Sequence, residues 1–194
     1  MKRKMLMAVV ALITTMNVAA QTAPDFSYRF RVGGNLSTLT GSDDSKMKLG
    51  WTLGFGLDYT FAENCAVGLE LSHDFIGAKS KNFDKNLSLE YLSFGPKFRY
   101  YVAPWLSAHA GPELGFLLRA KLDGKSHLSE YKKTELSLPV GVTFELLRDR
   151  DYSLIIDLRY RFGVTNINKK ELIEDNIRNS ALILTAGYRF SFSK

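Results

Sequence analysis

The stretch MKLGWTLGFGLDYTF, Met47 to Phe61, alternates between two kinds of residue almost without fault. Met47, Leu49, Trp51, Leu53, Phe55, Leu57, Tyr59 and Phe61 are apolar or aromatic, and Lys48, Gly50, Thr52, Gly54, Gly56, Asp58 and Thr60 between them are small or polar. A period of two is a β-strand with one greasy and one wet face. Ordinary strands run about five or six residues, so both the length of this one and the solvent on its greasy face need an explanation.

The same alternation recurs at 26–36, 65–75, 92–102, 106–122, 134–146, 152–164 and 180–192, which makes eight long strands. The links near Ala62–Asn64, Ala103–Trp105 and Leu147–Asp151 are short. Those at Thr40–Lys46, Gly77–Asn86, Asp123–Lys132 and Thr165–Asn179 are longer and polar, and the two kinds alternate strictly. An all-β, eight-stranded antiparallel up-and-down barrel has this arrangement, trimmed at one end and looped at the other.

The charges sort by face. Phe26, Tyr28, Phe30, Val32, Val67, Leu69, Leu71, Leu92, Phe94 and Phe98 belong to a parity without Asp, Glu, Lys or Arg, on which His73 is the one imidazole. The other parity carries Arg29, Arg31, Lys48, Asp58, Glu70, Asp74, Lys97, Arg99, Glu113, Arg119, Lys121, Glu135, Glu145, Asp157, Arg159, Arg161 and Arg189. A one-residue slip would exchange the faces, so this segregation reports a real constraint. A soluble lipocalin-type carrier keeps its apolar face inside around a greasy ligand; a membrane barrel turns it to lipid and pairs its charges in the lumen. Strand length decides for the membrane, since a tilted spanning strand needs about 9–11 residues. Aromatics including Phe26, Tyr59, Tyr100, Tyr101, Trp105, Phe144, Tyr152, Tyr188 and Phe192 collect at the short-turn end as one interfacial girdle.

The chain opens MKRKMLMAVVALITTMNVAAQTAP, with a basic start, an apolar run to about Ile13, and Val18-Ala19-Ala20 before Gln21. This layout predicts a signal peptide over residues 1–20, cleaved after Ala20, and a barrel domain over 21–194. Without Lys2, Arg3 and Lys4 the remainder has 23 Lys+Arg against 20 Asp+Glu, a weak basic balance that does not point to nucleic acid. The one cysteine, Cys65, excludes an intrachain disulfide and reads as a buried thiol.

VGGNLSTL (32–39), YLSFGPKFRYY (91–101), AGPELGFLL (110–118), LIIDLRYRFGVTNI (154–167) and the ending LTAGYRFSF carry a resemblance to the small outer-membrane β-barrel family common in Bacteroidota, sometimes called PorT-like. The resemblance implies an eight-stranded barrel in the outer membrane, with both termini periplasmic and no catalytic residues. It also implies contact with outer-membrane lipid, delivery by the barrel-insertion machinery, and an accessory role in a secretion or assembly machine. The chain departs from the family's aromatic ending by adding Ser193 and Lys194 after Phe192.

Three prolines, Pro96, Pro112 and Pro139, fall inside proposed strands, although a closed barrel has no edge to absorb a missing donor. Leu87, Leu89 and Tyr91 are out of phase with Leu92, Phe94 and Phe98, which predicts a β-bulge near Tyr91-Leu92.

Eight strands leave an interior that side chains fill, which argues against a pore. Some ten basic and seven acidic residues share the polar parity. Arg29, Arg31, Glu70, Lys97, Arg99, Glu113, Glu135, Glu145, Asp157, Arg159, Arg161 and Arg189 are expected to form a neutralised structural network there. A lipid-modifying barrel enzyme would need histidine, serine and acid together. Ser72-His73-Asp74 cannot supply them from one face, because adjacent strand residues point oppositely. Ser126-His127 lies in a loop and His109 on the inward parity. The expectation is no enzyme and no cofactor. Asp43 and Asp44 offer too few oxygens for calcium. The glycines alternating along the strands read as lumen space and bending points.

Exposed loops on a rigid scaffold are the natural place for a protein partner. The longest, TNINKKELIEDNIRN, holds Leu172, Ile173 and Ile177, which cap the mouth or meet that partner. Gly77–Asn86 is basic through Lys79, Lys81 and Lys85, a set that solvation explains and an anionic surface glycolipid would also suit.

Overall fold

The computed structural model describes residues 25–41, 45–80, 86–147, 152–168 and 176–192. The predicted leader at 1–20 lies outside them, as do Asp43, Asp44, Lys81, Lys85, Leu172, Ile173, Ser193 and Lys194. Eight staves form the ring: β1 (Asp25–Thr40), β2 (Lys48–Ala62), β3 (Cys65–Ser80), β4 (Asn86–Ala103), β5 in two pieces (Leu106–Ala110 and Glu113–Leu122), β6 (Thr134–Leu146), β7 (Tyr152–Gly163) and β8 (Arg178–Phe192). Each pairs antiparallel with its sequence neighbours, and β1 closes the ring on β8 from Phe26↔Phe192 to Thr40↔Arg178. The meander read from the alternation is the observed topology.

Burial identifies the solvents. Phe26, Leu57, Leu69 and Leu184 on the apolar parity are more than half exposed, while Arg29, Arg31, Glu70, Asp157 and Arg159 on the other are buried. A girdling apolar surface of this extent has no place in water. The greasy face of Met47–Phe61 therefore points outward, the reverse of a lipocalin-type carrier.

Two strands outrun their expected limits. The described part of the link expected at Gly77–Asn86 belongs to the strands, with Gly77↔Ser88 and Lys79↔Asn86 paired between β3 and β4. The phase change at Leu87, Leu89 and Tyr91 is no bulge in β4, because these three residues are buried on the same inward side as Ser93, Lys97 and Arg99. The register shift lies opposite: Glu90 pairs with Arg119 and Tyr91 with Leu117, so Leu118 of β5 is the extra residue. Beyond it the parity of β5 inverts, and Arg119 and Lys121 point outward instead of into the lumen.

The prolines gather at one weak place. The β4–β5 register sets Pro96 opposite Pro112, and the β5–β6 register sets Gly111 opposite Pro139. Gly111 and Pro112 are the gap between the two pieces of β5. Missing donors are thus concentrated at a single break in the wall, and the ladder resumes on either side. At the far end of β5, Asp123 (φ 50°) and Gly124 (φ 80°) make a tight turn that folds Lys125–Ser126 back on Lys121–Leu122. Positive φ at both central residues gives the backbone twist that a two-residue hairpin requires.

Candidate functional site

The lumen is the chemically dense part of the molecule. Toward the short-turn end, Arg29 grips Asp58 with two prongs, Nε at 2.8 Å from Oδ2 and Nη2 donating to Oδ1 at 2.9 Å. Arg99 approaches the same carboxylate at 3.6 Å and donates from Nη1 to Ser107 and Thr143. Half-buried Arg189 meets Glu145 at 3.1 Å and lies 5.6 Å from the Tyr101 ring centre. Tyr101 thus belongs to the interior and not to the girdle in which its sequence neighbours placed it.

Midway along, Glu70 receives Arg31 Nη2 and Arg159 Nη1, each at 2.5 Å, with Lys97 Nζ at 3.9 Å. Asp157 faces Arg159 Nε at 3.2 Å and Arg31 Nη1 at 3.6 Å, is hydrogen-bonded to His109 Nε2 at 2.6 Å, and accepts from Thr143 Oγ1 at 2.8 Å. Higher still, Glu113 lies between Lys97 at 3.4 Å and Arg161 at 3.6 Å, and Arg161 also faces Asp74 at 3.6 Å and Glu135 at 3.5 Å. The inward glycines make room for this: a Cβ on Gly54 would stand 2.5 Å from Arg31 Nε, and one on Gly56 would stand 3.1 Å from Arg29 Nη2.

With Lys48, Arg119 and Lys121 gone elsewhere, the lumen holds Arg29, Arg31, Lys97, Arg99, Arg159, Arg161 and Arg189 against Asp58, Glu70, Asp74, Glu113, Glu135, Glu145 and Asp157. Among the described residues that is seven of each sign. A buried charge without a partner is expensive, so equal numbers in shared contacts are what a low-dielectric interior demands. Asp58 and Asp74 belong to the network as fully as the charges singled out from the sequence. The neutral members Ser93, Ser107, Ser137, Thr143 and Asn179 sit on the same parity but escape a search for charge.

Above the network the chemistry changes. Ile76, Leu89, Tyr91, Leu117, Ala120, Ala181 and Ile183 face inward and form a buried apolar cluster. Two links come back into it. Ile167 and Ile177, joined by a backbone bond at 2.9 Å, pack there from the β7–β8 connection. Leu128 and Tyr131 pack from the β5–β6 connection, which turns through a short 3-10 segment, Leu128–Glu130. Burial, with Glu130 adding to it, pushes the Tyr131 phenol above its ordinary range. The bridge Tyr131↔Asn168 and the Lys132 N–H to Ile167 carbonyl bond tie the two links together. The described parts of these long links are therefore a lid on the mouth.

The outer wall carries aromatic pairs at both ends. Phe26 packs on Tyr59 and Trp105 on Phe144 at the short-turn end, as the sequence indicates. Trp51 stacks on Phe75 at 4.1 Å and Tyr160 packs on Phe162 at the other. Aromatics at both ends of an apolar band suit a barrel in lipid.

The family model for the outer membrane protein beta-barrel domain matches residues 7–190. The chain belongs to this family. Outer membrane protein OprG from Pseudomonas aeruginosa superposes with a TM-score of 0.56 at 13% identity, covering 90% of this chain and 99% of that one. Neisserial surface protein A (NspA) does so with a TM-score of 0.53 at 14% identity, covering 85% and 96%. At such identities the likeness is one of fold. No curated protein matches by sequence. As a member of the outer-membrane β-barrel family, the protein resides in the outer membrane with its apolar band against lipid.

The histidines divide by surroundings. His73 on the outer wall pairs with Glu90 at 3.0 Å, His109 with Asp157 in the lumen, and His127 with Glu130 at 3.2 Å. Ser72, on the opposite face from His73, donates to Asp74. Among the described residues no serine hydroxyl is bonded to a histidine.

Proposed function

We propose that this protein is a closed, non-enzymatic outer-membrane scaffold whose long-loop end, facing the cell exterior, meets a protein partner. The observation that supports this most directly is the filling of the bore twice over, by the ion-paired lumen and by the apolar lid above it. Each histidine is committed to a carboxylate, without the serine that an acyl-transfer site would need within hydrogen-bond reach. A place within the PorT-like branch, with an accessory role in a secretion or assembly machine, rests on the motifs quoted above. Delivery by the barrel-insertion machinery is part of the same reading.

Gly124, at the hairpin tip, tests the display. Gly124→Cys is expected to react with a membrane-impermeant maleimide on intact cells, while buried Cys65 stays silent. Labelling only after lysis would reverse the orientation. Planar bilayers holding the purified protein are expected to show no stepwise conductance; steady channels would end the closed-scaffold reading.

A further inference from the structure

The cations that the bulge and strand ends remove from the lumen do not scatter. Lys48, Arg119 and Lys121 line one cavity of about 320 Å³ on the outer wall, spanning β2 to β5. Lys48 lies where the β2–β3 ladder stops, at Trp51↔Phe75, and its Nζ crosses β3 to donate to the Leu87 carbonyl and the Ser88 hydroxyl. An ammonium has three donors, so one remains. Arg119, its side chain 68% exposed, shares Glu90 with His73 at a distance of 3.5 Å. Lys121 sits opposite Ser88 and is exposed, and Lys79 is near enough to repel Lys48. Among the described residues, Glu90 is the one carboxylate on the cavity wall.

Cations on a lipid-facing wall are costly in hydrocarbon and tolerable only at headgroup depth. The ladder row Tyr160–Leu182–Leu36–Leu49, which leads from β7 to this cavity, carries no charge. The floor of the cavity is the stacked Trp51–Phe75 pair, which continues into the apolar band. A ligand seated here has an anionic head among Lys48, Arg119 and Lys121 and hydrocarbon running down the wall.

We infer that this cavity is a binding site for the phosphate-bearing headgroup of an outer-leaflet lipid, with its acyl chains lying over Trp51 and Phe75. The inference rests on the exterior placement of the long-loop end, but its test does not. In detergent micelles, with Trp105→Phe leaving Trp51 as the sole indole, diphosphorylated lipid A is titrated against emission. A saturable change is expected. It should weaken roughly tenfold or more in Lys48→Gln/Arg119→Gln/Lys121→Gln, where three charge-assisted contacts are lost. Phosphatidylcholine should give no such response.

A triple variant that titrates like its parent overturns the site, as does an equal response to phosphatidylcholine. Saturation by inorganic phosphate alone overturns the lipid assignment. Retained heat-modifiable migration on a gel checks the variant's fold. If the triple variant does not refold, Arg119→Gln, which alters only an exposed side chain, is expected to weaken binding about threefold. Unchanged binding there counts equally against the site.

Discussion

Midway along the lumen Glu70 holds two guanidinium groups at 2.5 Å, whereas nearer the long loops Leu89, Ile76 and Ile183 fill the same bore with hydrocarbon. Both layers fill the bore, by different physics. The charged layer is held by strand side chains, with Asp58, Glu70, Glu113 and Asp157 each shared between cations from different staves. The apolar layer needs Ile167, Ile177, Leu128 and Tyr131, brought in by two links. The first is specified by pairing and is unforgiving; the second is specified by volume and degrades by degrees.

Removing one partner of the charged layer should have the largest effect. Glu70→Ala leaves Arg31 and Arg159 with Asp157 alone between them, and a broken buried pair costs about 3–5 kcal/mol. Urea unfolding of the refolded protein in micelles, followed by gel migration, is expected to show that loss or no refolding at all.

Leu89→Ala in the lid should cost about 3 kcal/mol by leaving a cavity. Leu69→Ala on the lipid face should cost clearly less, because lipid fills the space that a fixed core cannot. Equal losses in the same assay would mean that the lid is no packed core.

Gly54→Val sharpens the comparison from the charged side. Its Cβ would press on Arg31 Nε, pinned between Glu70 and Asp157, and overpacking of this kind costs about 1–3 kcal/mol. A double variant with Arg31→Ala should recover part of the steric cost, and strict additivity would show that the glycine serves something other than lumen space. The smallest effect belongs to neither layer. Gly124→Ala has open space around it and a φ of 80°, so its cost is conformational only, about 1 kcal/mol. Its unfolding midpoint should shift least of the series.

The two layers also differ in how legible they are. Arg29, Glu70, Arg99, Asp157 and Arg161 could be placed inside from alternation alone, because a period of two lets one reference residue orient a whole strand. Leu87, Leu89 and Tyr91 defeated the same logic. They lie on the inward parity, but their apolar character mimics a change of phase, and the strand ends around them were read as loop. Arg119 and Lys121 failed for the converse reason: their parity in sequence is inward, and the extra residue at Leu118 turns them out.

By itself, then, the sequence determined the number of strands, the lipid-facing parity and most of the buried charges, since these follow from periodicity within a strand and from the cost of charge in hydrocarbon. Only the tertiary structure decided the location of the bulge, the return of the links as a lid, and the meeting of Lys48, Arg119 and Lys121 on one patch of wall. Those depend on register between strands and on contacts between distant segments, which local alternation does not encode.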